Sequence, residues 1–266
     1  MIMGIKVSLR SEKIAVVELF GRIGGQIRSP VYEKLFDRLR KDKSCKALVL
    51  DIDSPGGTVT DSEYIYHDLC RFGSEKPIVS NIRGLGASGA YLIACSGRKI
   101  IASPAAVVGS IGVISIRPVI EVLLDKLGVD INVTKTGTFK DMGAVWRDSS
   151  PEEEIKLQDF VNESYERFID VIVKSRSISK EKVQELATGE VFWGSKALEN
   201  GMVDQLGGLD VAIDVAAELA NCKRKVMTVS PKKTFFQRVT GTFASSLVDS
   251  TAAELERRIW SGYFRY

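Results

Sequence analysis

Two kinds of apolar spacing take turns along the first hundred residues. Stretches 14–20, 46–53 and 77–82 are apolar on consecutive positions, as expected of parallel strands covered on both faces. Between them Val31, Leu35 and Leu39, with Tyr32 and Phe36 beside them, recur at helical spacing. Ser62, Ile65, Leu69 and Phe72 do the same over 59–72. Strand and helix therefore alternate, which predicts an α/β protein with parallel sheet layers and right-handed crossovers. Further on, the pattern gives strands at 98–102 and 106–113, a helix at 118–127, a strand at 129–134 and an exposed polar loop over 141–149. Ser150 before Pro151, Glu152, Glu153 and Glu154 is a helix start. That helix runs to about Ser175, with Leu157, Val161, Tyr165, Phe168 and Ile172 on one face. Two short helices flank 191–194, and a last one covers 210–221.

The pattern changes at Pro231. Phe236, Val239, Phe243 and Leu247 fall at helical spacing, and 231–266 holds six basic and three acidic side chains with an aromatic end. We divide the chain into a domain over 1–230 and an amphipathic helical tail over 231–266. Such a tail can pack on its own domain, on a neighbouring subunit, or peripherally on an anionic membrane surface.

Composition narrows the chemistry. With 266 residues and 44% hydrophobic content, the chain can bury a sizeable core. A net charge of +3 gives no basic face that would argue for nucleic acid. Cys45, Cys70, Cys95 and Cys222 are scattered, with no paired spacing, and read as small apolar fillers. Neither a disulfide framework nor a metal-ligand cluster is spelled out, so no metal and no cofactor is expected. The first ten residues are too short and too charged for a signal peptide, and the apolar stretch 107–124 is broken by Arg117, Pro118 and Glu121. The chain reads as soluble and cytoplasmic, or bound only at a membrane surface.

The stretch with most chemical content is Arg83-Gly84-Leu85-Gly86-Ala87-Ser88-Gly89-Ala90-Tyr91. Ser88 stands where a strand turns into a helix, beside the first free N–H groups of that helix. It fits a helix cap and a nucleophile equally well. A nucleophilic serine needs a base, and the single histidine, His67, falls on the polar side of its helix among Tyr64, Glu63 and Arg71. No histidine follows Ser88, which excludes the α/β-hydrolase order. The remaining base is an amine left neutral by desolvation. Lys140, between Phe139 and Met142 near glycines, is one candidate among many lysines and also fits a solvated loop charge.

Five blocks, in order, carry a resemblance that chooses among these. They are the run from Asp51 through Ser54-Pro55-Gly56-Gly57 to Thr60, Ala87-Ser88-Gly89-Ala90-Tyr91, Gly109-Ser110-Ile111-Gly112-Val113, Gly137-Thr138-Phe139-Lys140, and the stretch 188–208. Together they resemble the signal peptide peptidase A family, SppA, peptidase family S49. Its members are Ser-Lys peptidases on the ClpP/crotonase fold of repeated β-β-α units. The resemblance covers about 14–220 and implies Ser88 as nucleophile, Lys140 as general base, and the Gly57 and Gly89 N–H groups as an oxyanion hole. Ser110 is a candidate for holding the lysine in place.

It further implies signal peptides and other apolar or unfolded segments as substrates, and a ring-like homo-oligomer with sites shared between protomers. Membrane association also follows from the family, whose members usually carry an N-terminal anchor that this sequence does not show. Asp141-Met142-Gly143-Ala144-Val145-Trp146 departs from the Ser-Ala-Gly-Glu-Pro pattern common after the family's lysine. Two other functions compete: a crotonase-type enzyme on acyl-CoA, which would use the same glycines without Ser88, and a non-catalytic oligomeric scaffold.

Overall fold

The computed structural model describes residues 12–231, so the expected tail beyond Pro231 lies outside the described residues. The elements in order are β1 (Lys13–Phe20), α1 (Ser29–Lys41), β2 (Cys45–Ser54), α2 (Val59–Gly73), β3 (Ile78–Ala87), α3 (Gly89–Ala94), β4 (Lys99–Ala102) and β5 (Val107–Gly109). They continue with α4 (Glu121–Leu127), α5 (Pro151–Arg176), α6 (Lys180–Leu186), β6 (Val191–Trp193), α7 (Gly194–Glu199), β7 (Gln205–Leu206), α8 (Leu209–Leu219) and β8 (Val226–Thr228). The strands form one sheet in the order β6-β5-β3-β2-β1-β8, with β4 beside β3 and β7 beside β4. Every described pairing is parallel except β5 with β6.

Consecutive apolar positions in β1 and β2 are explained by cover on both faces. Ala15, Val17, Leu19, Leu48, Leu50 and Ile52 face the larger core with α1, α2, α3 and α5. Ile14, Val16, Ala47 and Val49 face Ala212, Ile213 and Ala216 of α8. Burial of each valine, leucine or isoleucine among them contributes about 1.5–3 kcal/mol. Because β2 and β3 are adjacent and parallel, the turns leaving their C-terminal ends lie side by side, where α/β sheets commonly bind ligands.

β3 is longer than its apolar run. It continues through Arg83, Gly84, Leu85 and Gly86 to Ala87 and changes partner on the way, pairing with β4 over Val79 to Ile82 and with β5 over Leu85 to Ala87. A register shift against β2 lies between these halves. Asp53 Oδ1 accepts from the Leu85 N–H at 3.0 Å, and buried Asp51 takes the Asn81 amide at 2.6 Å together with the Arg83 guanidinium. These two aspartates hold the bent strand from the neighbouring strand.

The segment between β5 and α5 is an arm. The helix expected from 118 begins at Glu121, and 129–134 forms no strand. The alternating Val129, Ile131 and Val133 are all exposed, because a strand needs a ladder partner and none lies within reach among the described residues. Ile114 and Ile116 are more than four-fifths exposed, and Val122, Leu123, Leu127 and Phe139 are exposed as well. The stretch 141–149, expected as an exposed loop, is instead half-buried and cross-linked by Arg117 and Arg147. Ser150 caps α5 in a reciprocal box with Glu153.

Candidate active site

Ser88 is a strand-to-helix corner under strain. Its φ of 53° and ψ of −126° put a side chain in a region that favours glycine, at a backbone cost of about 1–3 kcal/mol. The corner is fixed from several sides. Ser88 N–H donates to Gly109 O at 2.8 Å, and Ser88 O accepts from Tyr91 and Leu92 N–H at 2.9 and 3.1 Å. Tyr91, fully buried in α3, donates its hydroxyl to Met202 O at 2.9 Å. The Ser88 side chain makes no capping bond, so the cap reading of this residue fails. Among the described residues its hydroxyl has no hydrogen-bond partner.

The turn after β2 is seated against this corner. A Cβ built on Gly56 would lie 2.7 Å from Ala87 O, 2.8 Å from Gly89 N and 2.9 Å from Ser88 Cβ. Gly56 and Gly57 have φ of 91° and 154°, and a Cβ on Gly57 would fall 1.9 Å from Ile23 O. The segment after β1 clamps the turn: Ile23 N–H donates to Gly56 O at 2.8 Å, and Thr58 N–H donates to Ile23 O at 3.1 Å. That parallel bridge leaves the Gly57 N–H directed away from Ile23. Gly89 N–H starts α3 and has no turn before it to donate to. Gly89 is packed so closely that an added Cβ would meet Ser62 Oγ at 2.1 Å. The Gly56-Gly57 turn and the Ser88-Gly89 corner thus lie against each other where glycine alone fits. The contribution of Ile23 is invisible in the sequence, since it acts through its backbone; only the glycines around it hint at a turn.

Ser110 follows Gly109, itself paired with Ala87, and has φ of 49°, held by its N–H donating to Glu190 O at 2.6 Å. Its hydroxyl makes no bond to Lys140. Lys140 stands on the arm, exposed, in a turn whose N–H donates to Gly137 O at 3.3 Å. Within one described chain neither Ser88 nor Ser110 is hydrogen-bonded to it. His67 is exposed on α2, and buried Cys95 has its thiol pushed up to about 11 by desolvation, so neither is placed as an activated group. Cys45 is buried too, whereas Cys70 is exposed and is no filler.

The residue after Lys140 belongs to a charged cluster. Arg147 meets Asp141 at 2.9 Å and Glu153 at 2.6 Å, and Lys135 also reaches Asp141. Hydrogen bonds from Arg147 and then Lys135 hold the Asp141 carboxyl far below the usual carboxylate range. Arg147, followed by the Ser150 N–H, holds Glu153 down at about 2. Among the described residues no group of side chains has a metal-ligand arrangement, and no helix is long and apolar enough to cross a membrane.

Comparison with known proteins adds a family. The model of peptidase family S49 matches residues 71–223, and that of Clp protease matches residues 6–108. A Synechocystis protein bearing the name of a protease is 38% identical, over 91% of this chain and 87% of its own. An Enterococcus faecium protein named for signal peptide peptidase SppA is 34% identical over 85% of this chain, which spans 62% of that relative's length. The chloroplastic serine protease SPPA of Arabidopsis thaliana is 30% identical over 79% of this chain and 33% of its own. Among solved structures, the 1510-N membrane-bound stomatin-specific protease shares the fold, with a TM-score of 0.53 at 14% identity over 84% of this chain and 99% of that one.

Proposed function

We propose that this chain, which belongs to peptidase family S49, is a serine endopeptidase in which Ser88 is the nucleophile and Lys140 its base. The observation that carries the reading is the Gly56-Gly57 turn pressed against the Ser88-Gly89 corner. Ser88 Oγ attacks the peptide carbonyl carbon while its proton passes to the neutral amine of Lys140. The oxyanion that forms accepts from the Gly57 and Gly89 N–H groups. Collapse expels the amine, which takes the proton from Lys140 and leaves an ester on Ser88. Water then gives a proton to Lys140 and attacks the ester carbonyl, and collapse of this second intermediate expels the Ser88 oxygen, which takes the proton back from Lys140. Ser110 supports the lysine in this scheme. The substrates are apolar or unfolded segments, signal peptides among them, as the family resemblance implies.

A phosphonate that esterifies activated serines tests the nucleophile. One adduct per chain is expected, mapped by mass spectrometry to Ser88; labelling elsewhere, or none on cleaving enzyme, removes the assignment.

The base also needs company. Lys140 is exposed and apart from Ser88 in the single chain, on an arm whose isoleucines, valines and leucines face water. An apolar surface of that extent marks an association site. In our reading a second copy covers the arm, excludes water from the amine and brings Lys140 of one protomer to Ser88 of the next, closing a ring. Sedimentation velocity of active enzyme is expected to show oligomers, and full activity in a monomer would end the shared-site scheme.

A further inference from the structure

We propose that Arg147 is a positioning residue for Lys140, fixing the turn that carries the base against the start of α5. The inference rests on the reading of Lys140 as the base. Asp141, the next residue, receives Arg147 Nε at 3.2 Å and Nη2 at 2.9 Å. The same guanidinium gives its other edge to Glu153, with Nη1 and Nη2 at 2.8 and 2.6 Å from the two carboxylate oxygens. Glu153 is buried, and its carboxylate also takes the Ser150 N–H at 2.9 Å, closing the cap of α5. Farther along, that helix is anchored in the core by Phe168, Ile169 and Ile172. A rigid path therefore runs from the core, along α5, through one guanidinium, to the residue beside Lys140.

Arg117 secures the opposite side. Its Nη1 donates to Arg147 O at 3.0 Å and to Ala144 O, and its Nη2 donates to Ser149 Oγ at 2.7 Å. Asp141 O in turn accepts from Ala144 N–H at 3.0 Å. A planar fork can satisfy two carboxylates at once with fixed angles; an ammonium of the same charge cannot. The shape of arginine, beyond its charge, is what holds the turn.

The test compares Arg147→Lys and Asp141→Asn with wild type on a fluorogenic peptide, with Lys140→Ala and Arg167→Lys alongside. Arg167 makes exposed ion pairs elsewhere on α5, with Glu63 and Glu163, and its variant is expected to behave as wild type. Arg147→Lys and Asp141→Asn are expected to lose about ten- to a hundredfold in kcat, with KM within about twofold, because a displaced base slows chemistry without altering binding. Circular dichroism checks the fold. Should Arg147→Lys fail to fold, Asp141→Asn decides, since it leaves the Arg147–Glu153 pair intact. Wild-type kcat in the folded variants, or a loss confined to KM, overturns the proposal. An active Lys140→Ala overturns the base assignment itself, whereas an inactive Lys140→Ala beside wild-type Arg147 and Asp141 variants overturns only the positioning role.

Discussion

Ser88→Ala and Lys140→Ala should each cut the degradation of unfolded casein by about a thousandfold or more, since each removes one half of a unit that works only together. Lys140→Arg should be equally inactive. It offers a cation on a side chain of similar reach but cannot give up its proton at any working pH. That variant separates a base from a cation that merely attracts substrate. Ser88→Ala should keep the fold, because the hydroxyl has no partner in the described chain to lose. Casein cleavage by either alanine variant at the wild-type rate would eliminate the dyad. Acyl-CoA turnover that survives in Ser88→Ala would instead favour a crotonase-type reaction.

The second large effect is expected at the glycine turn. Gly57→Ala should lower kcat/KM at least about a hundredfold, the usual loss when one oxyanion donor is displaced. The added methyl cannot be accommodated: Ile23 O lies 1.9 Å from its position, so the backbone that aims the Gly57 N–H has to move. A lower melting temperature should accompany the loss. Gly25→Ala is the matched control, in the same clamp but with its nearest neighbour 3.5 Å from the added carbon and no positive φ. A Gly57→Ala enzyme with unchanged kcat/KM would show that this N–H does not face the reacting carbonyl.

Local pattern was enough for the sheet interior and not for its edges. Stretches 14–20 and 46–53 were legible as strands because both faces are covered and runs such as Ile14 to Val17 and Ala47 to Leu50 are apolar on consecutive positions. The start of α5 was legible because Ser150, Pro151 and Glu153 each act within one turn. The length of β3 was not, since Gly84 and Gly86 carry no polarity signal and the bent strand is held in place by Asp51 and Asp53 of another strand. Val129, Ile131 and Val133 alternate as a strand should, yet alternation reports only which faces differ, and pairing depends on a neighbour.

The site divides in the same way. The glycines around Ser88 are readable because a single residue type answers to a close backbone approach, and a Cβ at Gly56, Gly57 or Gly89 would strike neighbouring protein atoms. Lys140 could be picked out only by family resemblance, because a lysine's function depends on what surrounds it in space. Arg147 passed for part of a polar loop. Its two carboxylates sit six residues away on either side, a spacing that marks no recognised motif.

The left-handed backbone at Ser88 sets a limit on how sturdy an active form of this enzyme can become. Glycine would sit at that corner without strain, so, on the mechanism proposed above, the substitution that most eases the fold there also removes the nucleophile. If Ser88 is the nucleophile, a search for heat-tolerant variants that screens for survival alone is drawn to position 88 and returns inert proteins; only a screen that demands turnover keeps the serine.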